Sequence, residues 1–225
     1  MTDQITPVPA AEFERTPGLG EWRVLSEGAA AHYRTRSFEE SARFVRAIGE
    51  RSAVAVHPPA VDIRAAGVTL RLLTTGAEYY GMSTLDVDAA REISANAREF
   101  GLVADPSVLQ SVLIVPGAPR GTDIVPFWRA LLGYEPRPDS PDEDLVDPQD
   151  RWPAFWFEQM NEPRPDGGGA IHVAVWVPID RVEDRAAAVV AAGGRVVRDA
   201  NAPSWWTFED AAGNEADVAS VAGRD

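Results

Sequence analysis

Residues 108–225 carry one order of elements twice, and this constrains the fold more than any other feature of the chain. SVLIVP reads as a strand, and IVPFWRALLGY as a helix stopped at Gly133. The acidic, proline-rich stretch from Pro136 to Asp150 reads as a solvated loop, and AFWFEQM as a strand. After a flexible PRPDGGG turn the series begins again. IHVAVWVP is a strand, DRVEDRAAAVVAAGG a helix with a glycine stop, GRVVRD and SWWTFED are strands, and AAGNEADVASV is a turn and a last strand. The two copies share little sequence, so the repeat is one of structure.

The first half follows a different plan. Residues 7–20, punctuated by Pro7, Pro9, Pro17, Gly18 and Gly20, read as an irregular or briefly helical lead-in. EWRVL and AAAHYRT read as two strands around the SEG turn. Ser37 stands where an N-cap belongs, with Glu40 three residues on and Phe38, Ala42, Val45 and Ile48 at helical spacing. AVAVH and VDIR read as strand material interrupted by Pro58 and Pro59, and GVTLRLLTT as a half-buried strand. Ser83 opens a second helix with Leu85, Ala89, Ile93, Ala97 and Phe100 as its apolar stripe and Gly101 as its stop. This order predicts an α+β domain whose sheet is covered by helices on one face. Gly101 and Asp105-Pro106 break the pattern, which predicts two folding units, 1–105 and 106–225.

Composition narrows the partners. The net charge of −14, with arginines scattered along the chain, argues against nucleic acid. No apolar run approaches the ~20 residues needed to cross a bilayer, and the acidic, proline-containing N-terminus is unlike a signal peptide. A cytoplasmic protein with a small-molecule ligand or substrate is therefore expected. Without cysteine there are no disulfides or thiolate sites, and without lysine neither a Schiff base nor a P-loop.

QSVLIVP, FWRALLGY, IHVAV, AAGGRVV and AAGNEADV give residues 108–225 a resemblance to the vicinal oxygen chelate (VOC), or glyoxalase-like, superfamily. The resemblance implies paired βαβββ modules that form a cup within one chain. EWRVL, SFEESARFVRAIG, HPPAVDIR, VTLRLLTT and GMSTLDVDAAREI give residues 20–100 a resemblance to pterin-4a-carbinolamine dehydratases, with an antiparallel sheet and helices on one face. Those enzymes have an HHP motif and a strand ending in TTH. Anchoring on P-x-V-D-x-R places His57 at the first histidine and Pro58 at the second, whereas anchoring on H-P places Val56 at the first. The third histidine is replaced by Gly76. Proline and glycine cannot move a proton near neutral pH, so His57 is expected to be a remnant of a degenerate site that hydrogen-bonds locally. His32 is expected on a sheet surface, without a role.

The glyoxalase-like resemblance maps the ligand positions of its metal-using members to Gln110, a residue near Glu158, His172 and Asp217. One histidine falls short of a facial triad, so no metal and no cofactor are expected. The expected catalytic groups are His172, Asp217 and Glu158. Gln110, Trp156, Trp176 and Trp206 are the expected ligand-binding residues, while Asn214 and Glu215 are assigned to turn geometry. The reading is a small-molecule binder or a metal-independent lyase or isomerase. Its alternative is an active 4a-hydroxytetrahydrobiopterin dehydratase or a metal-dependent glyoxalase- or dioxygenase-type enzyme. A homodimer through the first domain's sheet edges is left open.

Overall fold

The computed structural model describes residues 5–120, 123–162, 170–209, 211 and 213–223, and the PRPDGGG turn lies outside them. The chain divides into two compact units, Met1–Gln110 with Val221–Asp225, and Ser111–Ser220.

Unit 1 opens with a short helix, α1 (Ala10–Glu14), and a hairpin of β1 (Arg23–Leu25) and β2 (Gly28–Arg34). Helices α2 (Phe38–Gly49) and α3 (Ser52–Val56) follow. Next come β3 (Ala60–Arg64), β4 (Gly67–Leu72), the small hairpin β5 (Thr74–Gly76) and β6 (Tyr79–Gly81), then α4 (Thr84–Glu99) and β7 (Val103–Ala104). The main sheet is antiparallel in the order β1-β2-β4-β3, with β7 also on β2. Its covered face is set by alternation: Ala29, Ala31 and Tyr33 of β2 lie opposite Leu72, Leu70 and Val68 of β4, and all six are buried. Phe44 and Ile48 of α2 and Ala90, Ile93 and Ala97 of α4 complete this core. Each large apolar side chain contributes roughly 1.5–3 kcal/mol by leaving water. Gly28, at φ +103°, has no room for a side chain, because a Cβ would stand 2.2 Å from the Leu72 carbonyl oxygen.

Three local expectations for unit 1 change. AVAVH is mostly helix α3, because the Glu92 side chain from α4 accepts from Ser52 Oγ at 3.0 Å and from the Ala53 N–H at 2.8 Å, capping a helix that local propensity would not start. The Ser37 cap holds, but the buried stripe of α2 runs through Ser41, Phe44 and Ile48, leaving Phe38 60 % exposed and Ala42 exposed. GVTLRLLTT is divided between β4 and β5, which belong to different sheets.

Unit 2 contains β8 (Ser111–Pro119), α5 (Val125–Leu132), β9 (Glu135–Arg137), β10 (Ser140–Val146), β11 (Phe155–Trp156) and β12 (Glu158–Met160). The second series is β13 (Ala170–Trp176), α6 (Val182–Ala191), β14 (Arg195–Arg198), β15 (Trp205–Glu209) and β16 (Glu215–Ala219). One sheet holds every strand, in the order β14-β15-β16-β13-β8-β11-β10-β9, with β12 also on β8. At its centre β8 and β13 run antiparallel, and each pairs in parallel with the closing strand of its own series. These are paired βαβββ modules within one chain. Both helices lie on the same face. Tyr134, Leu145, Phe155 and Phe157 pack with Trp128 and Leu132 around α5, and Val182 and Ala186 of α6 pack with Phe208 and Val218. Gly133, at φ +68°, stops α5 where the sequence places the stop.

The expected loop at 136–150 is corrected: most of it is β9 and β10. Leu145, fully buried, draws β10 into the sheet, and Pro136 is tolerated because β9 is an edge strand.

Candidate functional site

The face of the unit 2 sheet opposite the helices is the candidate site. Strand register assigns its members: His172 lies opposite Val115, Ala174 opposite both Leu113 and Asp217, and Asp217 opposite Thr207. Side chains two residues apart on a strand share a face, so His172, Ala174 and Trp176 line this one with Leu113, Val115, Asp217 and Thr207. The pairings Phe155–Ile114 and Glu158–Gly117 put Trp156 beside Val115, across β8 from His172, and put Glu158 on the same face.

His172 and Asp217 are brought together, Nε2 to Oδ2, at 3.3 Å with side chains 15 % and 16 % exposed. The other carboxylate oxygen, Oδ1, accepts from Thr207 Oγ at 2.6 Å. The bond to Asp217 raises the His172 pKa above 6.5 against the opposing effect of burial, and the charges of Asp217, Glu158 and Glu215 add to the rise. Arg198 of β14 donates to Glu215 Oε2 at 2.6 Å. It also feels the charges of Asp217 and Glu158.

The other expected site residues are distributed differently. Gln110 is an exposed residue just before β8 and belongs to unit 1. Trp206 lies on the helix face against the α6 core, where the alternation of β15 sends its neighbours Trp205 and Thr207 the other way. Trp176 is on the concave face but only 5 % exposed, forming floor more than wall, whereas Trp156 is 39 % exposed. Glu158 is exposed and reaches His172 through its charge.

Sequence reasoning missed Thr207, Arg198 and Asp144. Asp144, inside the presumed loop, lies opposite Trp156 in the ladder, is 4 % exposed, and meets Arg137 at 3.1 Å; burial raises its pKa. The apolar pair Leu145–Val146 that closes the acidic run was the available signal of a strand. Thr207 and Arg198 needed the register of β14, β15 and β16.

These donors do not fit a metal set. The two best ligands, His172 and Asp217, are turned toward each other, and Glu158 lies opposite Gly117, four positions along β8 from Leu113 in the Asp217 row, or roughly 13 Å of strand. Among the described residues no group of three His, Asp or Glu side chains is arranged around a metal position.

In unit 1, His57 corrects another expectation. Its partner is not local: Nε2 lies 2.7 Å from Oδ1 of Asp86, at the start of α4. Asp86 is fully buried and its Oδ2 also accepts from Thr74 Oγ and the Ser83 N–H, each at 2.7 Å. His32 sits on β2 with Nδ1 2.9 Å from Thr69 Oγ, on the sheet face away from the helices.

An antiparallel sheet with helices on one face, followed by paired βαβββ modules that form a cup, defines a two-domain α+β protein. The family models agree with this division. The model described as Pterin 4 alpha carbinolamine dehydratase matches residues 6–96, and that described as Glyoxalase-like domain matches residues 114–219. The chain thus joins a pterin carbinolamine dehydratase-like domain to a glyoxalase-like domain. No curated protein matches it. Among solved structures it is similar to a chain described as NAD-dependent benzaldehyde dehydrogenase from Legionella pneumophila. The identity is 13% and the TM-score 0.35, over 48% of this chain and 97% of that one. It is also similar to a glyoxalase/bleomycin resistance protein/dioxygenase superfamily member from Vibrio splendidus 12B01, at 16% identity and TM-score 0.29, over 49% and 99%. At these TM-scores neither likeness bears on activity. No helix among the described residues is long and apolar enough to cross a membrane.

Proposed function

We propose that the glyoxalase-like domain holds a small organic molecule on its concave face and uses His172, without a resident metal, to orient it and to exchange a proton with it. The observation that supports this reading is the chain Thr207–Asp217–His172, an imidazole in ion-pair contact with a carboxylate and with raised basicity, on a concave sheet face beside an exposed indole. Trp156 offers a flat apolar wall, and Leu113, Val115 and Ala174 a floor. Unit 1 keeps the dehydratase architecture without its turnover, because the positions for its partner histidines hold Pro58 or Val56 and Gly76.

The test uses the full chain and a fragment set of neutral, anionic and cationic aromatic compounds, followed through the His172 ring proton resonance and Trp156 fluorescence. A saturable shift of His172 by at least one fragment, lost in His172→Ala, is expected. Fragments that bind while leaving His172 unmoved would overturn the reading, as would one equivalent of a transition metal in the purified protein that is lost in His172→Ala. A dehydration assay of the carbinolamine is expected to stay at the uncatalysed rate.

A further inference from the structure

We propose that Thr207 and Asp217 are positioning residues that fix the His172 proton on Nε2, leaving Nδ1 as the nitrogen that meets the ligand. The inference rests on the reading of the cup given above and extends it to the atom in contact and the group it selects.

An ionised carboxylate only accepts hydrogen bonds, so a ring nitrogen facing Asp217 Oδ2 at 3.3 Å carries the hydrogen. Rotation of the carboxylate would free that oxygen, and Thr207 prevents it. Its hydroxyl donates to Oδ1 at 2.6 Å, and the residue is only 1 % exposed, so water does not compete for it. Thr207 and Asp217 are also direct partners in the antiparallel ladder of β15 and β16, and the backbone therefore holds both at a fixed separation. Nε2 is thereby committed, while Nδ1 makes no hydrogen bond among the described residues. The charged groups around the ring are Asp217 and Glu215 on β16, Glu158 on β12 and Arg198 on β14, the last tied to Glu215. Neutral His172 then offers a lone pair at Nδ1. The ligand group that meets it is a hydrogen-bond donor, a hydroxyl or an N–H, or an acidic C–H beside a carbonyl. An oxygen acceptor at that point is favoured only when the ring is protonated.

The experiment uses the full chain labelled with 15N-histidine and long-range proton–nitrogen correlation above the titration midpoint of His172. The three histidines, His32, His57 and His172, are assigned by substitution. The neutral ring is expected as the Nε2–H tautomer. Asp217→Asn should lower the midpoint, removing an adjacent opposite charge. Thr207→Val should lower it by a smaller amount and weaken the tautomer preference, with Thr207→Ser restoring both. An Nδ1–H tautomer in the native protein would overturn the proposal. So would a Thr207→Val protein whose tautomer and midpoint are those of the native chain. The fragment experiment fails independently of these outcomes: a His172 fixed on Nε2 that no fragment moves would sink the proposed function and leave the positioning intact.

Discussion

Replacing Asp86 tests the reasoning about the dehydratase-like unit most severely. The side chain is fully buried, accepts from His57, Thr74 and the Ser83 N–H, and closes the capping box of α4 with Ser83. Removing a cap costs about 1 kcal/mol, and hydrogen bonds to a charged group about 1.5–3 each, part of which is recovered because Thr74 keeps the Ser83 hydroxyl at 2.7 Å. Asp86→Ala is therefore expected to destabilise unit 1 by about 3–5 kcal/mol, in line with the loss of one partner from a buried pair. His57→Ala should cost less, about 1–2 kcal/mol, because Asp86 keeps two donors. The double variant should be less destabilised than the sum of the two, since each substitution removes the same 2.7 Å contact. Hydrogen exchange of the α4 amides followed by mass spectrometry reads this directly, and 3 kcal/mol corresponds to roughly a hundredfold loss of protection. An Asp86→Ala protein whose α4 protection falls less than about fivefold, or strictly additive single variants, would refute the account.

Two further outcomes are expected. Burial of His32 lowers its pKa below 6.5, ahead of opposing effects from Asp105 and Asp62, so the folded state disfavours its charged form. Its contribution to stability is full above 6.5 and is lost as pH falls toward its folded midpoint, and the stability difference between native and His32→Gln chains, read from urea melts, should change with pH only across that acidic window. Trp206→Ala should lower stability by about 3 kcal/mol and leave fragment binding at His172 unchanged, whereas Trp156→Ala should cost about 1 kcal/mol or less and weaken binding; chemical denaturation and the fragment titration check both.

Periodicity and punctuation were enough to read most helices and strands from the sequence, and the family resemblances supplied the paired modules and the cup. The 3.6-residue stripes, the Ser37 and Ser83 caps and the glycine stops at Gly101 and Gly133 are local devices, whose physics acts within a few residues. His172 and Asp217 were legible as a pair because the glyoxalase-like resemblance maps both to ligand positions of its metal-using members. What the sequence did not contain was register across strands. A residue's face depends on its parity within a ladder, so one position separates Trp206 from Thr207. Capping from a distance was equally hidden: Glu92 makes a helix of an alternating Ala–Val run, and Leu145 makes a strand of an acidic, proline-rich one. Asp86, 29 residues from His57, and Thr207, which donates to Asp217, belong to the same class: only tertiary packing, which sets non-local distances, decides that these groups touch.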